Sequence, residues 1–246
     1  MPIRSIFALA SASSRQHGIS PYALQPAEVQ QERINYLSME NLIKFNSIDE
    51  YNKAMGFETK HPLVAVVDLK KADKKAFPQE VSYYYGVYAL FLKQTYCGDI
   101  TYGRMPYDYQ EGTVTSFAPG QVVHVKHRPD YEPNALGLLF HPDLIRGTSL
   151  GQEIKQYSFF SYSSTEALHL SEQEKMIYKD CLEKIKIETE RPIDNHSKKL
   201  ICRNIELLLD YCMRFYERQF ITRKVVNRDI LTKFENELDG YFEGDT

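Results

Sequence analysis

Tryptophan is absent from the 246 residues, and so are most of the patterns that would declare a chemistry. No apolar run approaches the roughly 20 residues that a membrane-spanning helix requires, so the chain is read as one that does not span a bilayer. The four cysteines, Cys97, Cys181, Cys202 and Cys212, lie far apart without a Cys-x-x-Cys pair. Neither a zinc site nor a secreted disulfide framework is signalled, and reduced thiols in a cytoplasm are the plain reading. A basic excess is lacking too: the net charge of -3 and pI near 6.2 argue against a phosphate-binding surface, since nucleic-acid affinity rests on clustered Lys and Arg. There is no Gly-x-Ser-x-Gly elbow, Walker loop or dinucleotide fingerprint, which weighs against an enzyme.

What the sequence does have is rings. It carries 18 Tyr and 13 Phe, an aromatic load that suits strands and pocket walls, and half of them crowd between Tyr83 and Tyr162. Met1 to Ser14 has one Arg, a short apolar patch and small residues, but the patch is too short for a secretory signal. The segment reads as a loosely ordered extension, and the sequence reads cleanly from Met39. Beyond an irregular head to about residue 60, a strand-like region runs from His61 to His141 and a helical one from Pro142 onward.

In the strand-like region, LVAVVDL (Leu63 to Leu69) is a β-branched run, and EVSYYYGVYALFLK (Glu80 to Lys93) is a long strand with both faces covered. Gly86 inside it marks a bulge or a bend at a corner. Turns at Cys97-Gly98-Asp99, Gln110-Glu111-Gly112 and Pro119-Gly120 lead into ITYGR, TVTSFA and VVHV, and ALGLLFH follows. Such spacing favours an antiparallel barrel or sandwich over a parallel sheet. In the helical region Ser171 and Glu174 have the spacing of a capping box, predicting a helix to about Thr189. Arg191-Pro192 ends it, and Asp194 caps a second helix through Glu217, giving an antiparallel hairpin. On that second helix Ile201, Ile205, Leu208, Cys212 and Phe215 form the seam of a packed helix pair. Leu200, Leu207, Leu209, Tyr211 and Tyr216 widen the stripe enough to cover a barrel on one side and meet a partner chain on another; the alternative is a purely intramolecular core.

His124, His127 and His141 form the one tempting metal cluster. On one strand, however, residues three apart point to opposite faces, so no metal site is assigned. The cysteines fall where burial suits them, without a neighbouring base. There remains an aromatic cavity built from the tyrosines between Tyr83 and Tyr109, with Arg104 among them to meet a carboxylate or a polyol hydroxyl.

The residues YALFLKQTYCGDITYGRMPYDYQEGTVTSFAPGQVV, followed by LLFHPDLIRGTSLG, resemble the sensor domain of AraC-family transcription regulators, in the form common among Bacteroidetes, over roughly Asn41 to the end. Gly112, Pro119 and Gly120 match the family's strand, turn and Pro-Gly unit, a degenerate second cupin motif. The resemblance implies a cupin-type barrel that binds an effector, two helices that form the dimer contact, and a C-terminal pair of helix-turn-helix motifs on DNA. Two departures stand out. The His-x-His and Glu of a metal-dependent cupin are missing, and the chain stops just after DILTKFENELDGYF, which is similar to the first helix of the DNA-binding domain.

The expectation is therefore an α+β chain: a cupin-like antiparallel β-barrel followed by an antiparallel helical hairpin. Residues 1–40 form the extension, 41–141 the effector-binding barrel, 142–224 the dimerisation region, and 225–246 a linker with the first helix of an absent DNA-binding domain. Tyr85, Tyr88, Arg104 and Tyr109 are the candidates for the pocket, and Ile201, Ile205, Leu208, Cys212 and Phe215 for the subunit contact. The partners expected are a small-molecule effector and a second subunit, identical or a full-length relative, with neither DNA bound by this chain alone nor membrane. No cofactor is called for, and the chain is read as a cytoplasmic regulator fragment rather than an enzyme. The alternative is a metal-dependent cupin enzyme, an isomerase or dioxygenase.

Overall fold

The computed structural model describes residues 42–102, 105–106, 109–160 and 167–243, with side chains among these except at 102, 105–106 and 221–243. The expected extension over 1–40 lies outside the described residues. Ten strands and five α-helices are described: β1 (Leu42–Phe45), α1 (Ile48–Met55), β2 (Val64–Asp68), β3 (Glu80–Tyr85), β4 (Tyr88–Lys93), β5 (Gly98–Tyr102), β6 (Met105–Pro106), β7 (Thr113–Phe117), β8 (Gln121–His127), β9 (Ala135–Phe140), α2 (Pro142–Ile145), α3 (Ser149–Glu153), β10 (Leu168–His169), α4 (Glu172–Glu190) and α5 (Ser197–Glu243). The chain is α+β, with two antiparallel-dominated sheets and a C-terminal helical pair.

The first sheet has the order β1-β3-β8-β5-β6, in which only β1 and β3 run parallel, and the second has the order β10-β7-β4-β9-β2. The stretch expected as one long strand from Glu80 to Lys93 is two, because the chain changes sheets at Gly86. There the Gly86 N–H donates to Phe45 O at 2.8 Å, and a Cβ would lie 2.9 Å from Asn46 Cα. Only a residue without a side chain fits so close to a neighbouring backbone. Gly120, at φ 91°, makes the second corner, from β7 into β8, and donates its N–H to Tyr85 O at 2.7 Å.

Between the sheets lies an aromatic core. Phe45 and Tyr83 stack at 5.5 Å within the first sheet's inner face, and Tyr85 reaches across to stack on Phe117 at 5.2 Å. The second sheet is covered on its other face as well: Leu90, Leu92, Leu138 and Phe140 turn away from the sheet interface and are packed in one cluster with Tyr178, Leu182 and Ile185 of α4 and Ile201, Ile205 and Leu208 of α5. A sheet buried on both faces reads as an unbroken apolar run, which is why YALFLK shows no alternation.

The capping box forms as expected, with the Glu174 N–H donating to Ser171 Oγ and the Ser171 N–H to the Glu174 carboxylate. Asp194 accepts from the N–H groups of His196 and Ser197 at 2.8 Å and so prepares the start of α5. That helix does not stop near Glu217 but continues to Glu243, 47 residues in all. No Pro interrupts it and Gly240 is its first Gly, so no stop signal precedes its last turn. The supposedly irregular head also holds structure: Ser47 caps α1 by accepting from the Glu50 N–H at 3.1 Å, and the Glu50 carboxylate accepts from the Asn46 N–H.

Candidate functional site

Strand parity decides which side chains meet between the sheets. On β4, Ala89, Phe91 and Lys93 share the inner face; on β8, Val123, Val125 and His127 do, alternating with the more exposed Val122, His124 and Lys126. Phe91, Lys93, Val123, Val125 and His127 line a cavity with Tyr51, Tyr83, Tyr85 and Tyr131. His127 stacks flat on Tyr131 at 4.9 Å, Phe77 meets both rings edge-on, and the Lys93 ammonium stands 5.4 Å from the centre of the Phe91 ring.

The His127 Nδ1 lies 2.7 Å from Pro78 O. A carbonyl only accepts, so the neutral ring carries its proton on Nδ1 and leaves Nε2 as an acceptor. Burial, aided by the nearby Lys93 charge, pushes the imidazole below its ordinary value. Burial likewise pushes the Tyr51, Tyr83, Tyr85 and Tyr131 hydroxyls up, so all four are neutral donors in the physiological range. A cationic head, a neutral imidazole and phenol donors among rings make up a set that holds small anions or polyols. The cavity is small, about 40 Å³, space for one or two waters. A larger guest enters only if rings such as Tyr85 or Phe91 swing aside.

Of the three described residues among those expected to line a pocket, Tyr85, Tyr88 and Tyr109, only Tyr85 lines this one. Tyr88 is three residues further on, beyond the Gly86 corner, and faces the helices, stacked on Phe140 at 4.9 Å and edge-on to Phe160 at 5.1 Å. Tyr109 is tied into the loop before β5, where its hydroxyl accepts from the Cys97 N–H at 3.1 Å and donates to Gly98 O. Arg104 lies outside the described residues. Lys93 and Tyr131 are polar residues that sequence reasoning missed, and His127 it weighed only as a metal ligand. Counting by twos from Phe91 and from Val123 places Lys93 and His127 on the faces that turned out to be inner.

His124 points away from the cavity, with Nδ1 3.2 Å from Ser82 Oγ and Nε2 3.2 Å from the Glu80 carboxylate. His141 instead caps α2, accepting from the Asp143 N–H at 3.1 Å. The three imidazoles therefore do not converge, and among the described residues no group of three His, Cys, Asp or Glu side chains is arranged to hold a metal ion. All four thiols are buried, and burial raises those of Cys181, Cys202 and Cys212 above the ordinary cysteine value.

The five residues expected at a subunit contact are turned inward. Ile201, Ile205 and Leu208 are 0% exposed, Cys212 1% and Phe215 5%. They cover the outer face of the second sheet together with α4, so their apolar area is already buried within one chain. Among the apolar residues that the helical pair leaves open are Leu200 at 45% and Leu207 at 43% exposed, two turns apart, and Met176 of α4 at 65%; Ile187 and Phe220 are exposed as well. Met176 and Leu207 border one depression between the two helices, which also reaches Tyr211.

Among the described residues no helix is long and apolar enough to cross a membrane. Compared with known proteins, the sequence matches no family model and no curated protein at a significant level.

Proposed function

We propose that the chain is the ligand-sensing and self-associating portion of an AraC-like transcription regulator, working in the cytoplasm, with its two sheets forming the walls of a cupin-like cup. One observation carries this reading: β4 is a shared wall. Its Phe91 faces the polar-lined aromatic cavity, while its neighbours Leu90 and Leu92 pack in the cluster that contains α4 and α5. A guest that displaces Phe91 or Tyr85 therefore pushes on the strand that seats the helices. Ligand occupancy becomes a bias in how the helical pair meets a second subunit, which is population shift between assembled states.

In this reading the subunit contact uses Leu200, Leu207 and Met176, three of the apolar positions that the helical pair leaves exposed once the inner seam is spent. Sedimentation velocity tests it. The wild-type chain is expected to sediment as a dimer and Leu207→Glu as a monomer, both with the same circular dichroism. A wild-type chain that is monomeric at every concentration, or a Leu207→Glu variant that remains dimeric, contradicts the assignment.

A further inference from the structure

Apart from the cavity between the sheets, a groove of about 460 Å³ lies beside β2. Five consecutive residues, Val64 to Asp68, line it. A cavity on one face of a strand touches alternate residues, so a run of five places this groove along the strand's edge. β2 is the outermost strand of its sheet.

Hydrogen-bond parity fixes which backbone groups face the groove. The His141 N–H donates to Leu63 O at 2.8 Å, which makes Leu63 and His141 a hydrogen-bonded pair in register with Val64 opposite Phe140. Bonded and non-bonded pairs alternate in an antiparallel ladder. Ala65 and Val67 therefore spend their N–H and C=O groups on β9, while those of Val64 and Val66 and the N–H of Asp68 point off the sheet into the groove; the Asp68 C=O is taken up by the 3-10 turn Leu69–Lys71 that follows. Alternating donors and acceptors at strand spacing are matched by another extended main chain.

The opposite wall is α4, which contributes Lys179, Leu182, Glu183, Lys186 and Glu190, one face of the helix. On α1, Asn52 also lines the groove at 2% exposure. Its Nδ2 donates to Thr59 Oγ1 at 3.2 Å, and that hydroxyl donates onward to Asp49, so the amide is oriented and its Oδ1 is left as an acceptor without a partner. A buried acceptor left unsatisfied is costly, and a donor brought by a guest removes that cost. Charge marks one end of the groove. Lys60 is paired with Glu190 and Lys186 with Glu183, whereas Lys71 and Lys179 have no carboxylate within ion-pair distance among the described residues.

We propose that this groove is a peptide-binding site, in which an extended segment with an acidic end adds to β2 as a further strand of its sheet. Its main chain pairs with Val64, Val66 and Asp68, one row of side chains lies under α4, the other faces Phe57 and Asn52, and its carboxylate meets Lys71 and Lys179.

The test is selection from a bead-borne library of random peptides with free C-terminal carboxylates, followed by titration of the enriched sequences by fluorescence polarisation. Val66→Pro removes an outward N–H without taking a bond from the ladder, a change that edge strands accept. Enriched peptides are expected to shift the amide resonances of Val64, Val66 and Asp68 and to bind Val66→Pro about tenfold more weakly, the effect of one main-chain hydrogen bond and its unpaired partner. Lys179→Glu, an exposed change that leaves the fold alone, is expected to weaken peptides with a free carboxylate and to spare their C-terminal amides. It keeps the question open to measurement should Val66→Pro unfold. A library that yields no saturable binder overturns the proposal, as do binders that ignore both substitutions.

Discussion

Tyr85 of β3 lies flat against Phe117 of β7, ring centroids 5.2 Å apart and planes inclined by 11°, so that the two sheets are joined by a stacked pair across their interface. Both rings border the cavity between the sheets, and both are nearly fully buried. Truncating either removes contacts on two sheets at once.

For Phe117→Ala the expected loss of stability is about 3–5 kcal/mol, the range for emptying an aromatic site in a core that relaxes only partly. Urea unfolding followed by tyrosine emission measures it directly, and the absence of tryptophan leaves that signal uncontaminated. A loss under about 1 kcal/mol shows that the core closes over the gap, and that the pair does not brace the sheets.

Stability is expected to fall as pH drops through the imidazole range. Burial lowers His127, so the folded protein holds this ring neutral where the unfolded chain protonates it. The unfolded state then binds more protons, and stability rises with pH up to the ordinary value of 6.5 and is lost progressively below it. His61, also lowered by burial, adds in the same direction. Unfolding midpoints at about pH 7.5 and about pH 5.5 are expected to differ less in His127→Gln than in the wild type. An equal difference in both places the proton uptake elsewhere.

Gly86→Ala forces a Cβ to within 2.9 Å of Asn46 Cα and 3.1 Å of Phe45 O, both backbone atoms. The corner between β3 and β4 has to open, at about 1–3 kcal/mol as for other overpacked sites. Thermal unfolding reads the loss, and hydrogen exchange is expected to rise first at the Gly86 amide, whose bond to Phe45 O is disrupted.

Much of this architecture is legible from local chemistry. Turn residues bracket β5, β7 and β8, the Ser171–Glu174 box begins α4, and Pro192 ends it, because each signal acts on the few residues beside it. The site is less legible, since its composition depends on which face of a strand turns inward. Tyr85 and Tyr88 look alike in sequence, but the Gly86 corner sends them to opposite sides of the second sheet. The seam on α5 poses the same difficulty in another form. A stripe such as Ile201, Ile205 and Leu208 fits a partner helix, a partner subunit or the back of a sheet equally well, and periodicity cannot choose among them. The capping signal at Ser47 and Glu50 is also local, but the helix it opens has only eight residues, too few to repeat a periodic stripe.

α5 has no break over 47 residues, which makes it a rod about 70 Å long. The buried residues of its described part, Ile201 to Phe215, seat it on the second sheet and on α4. An unbroken helix has no joint at which to bend, so a shift of the strand beneath Ile205 or Leu208 moves the seated turns together and is passed along the axis.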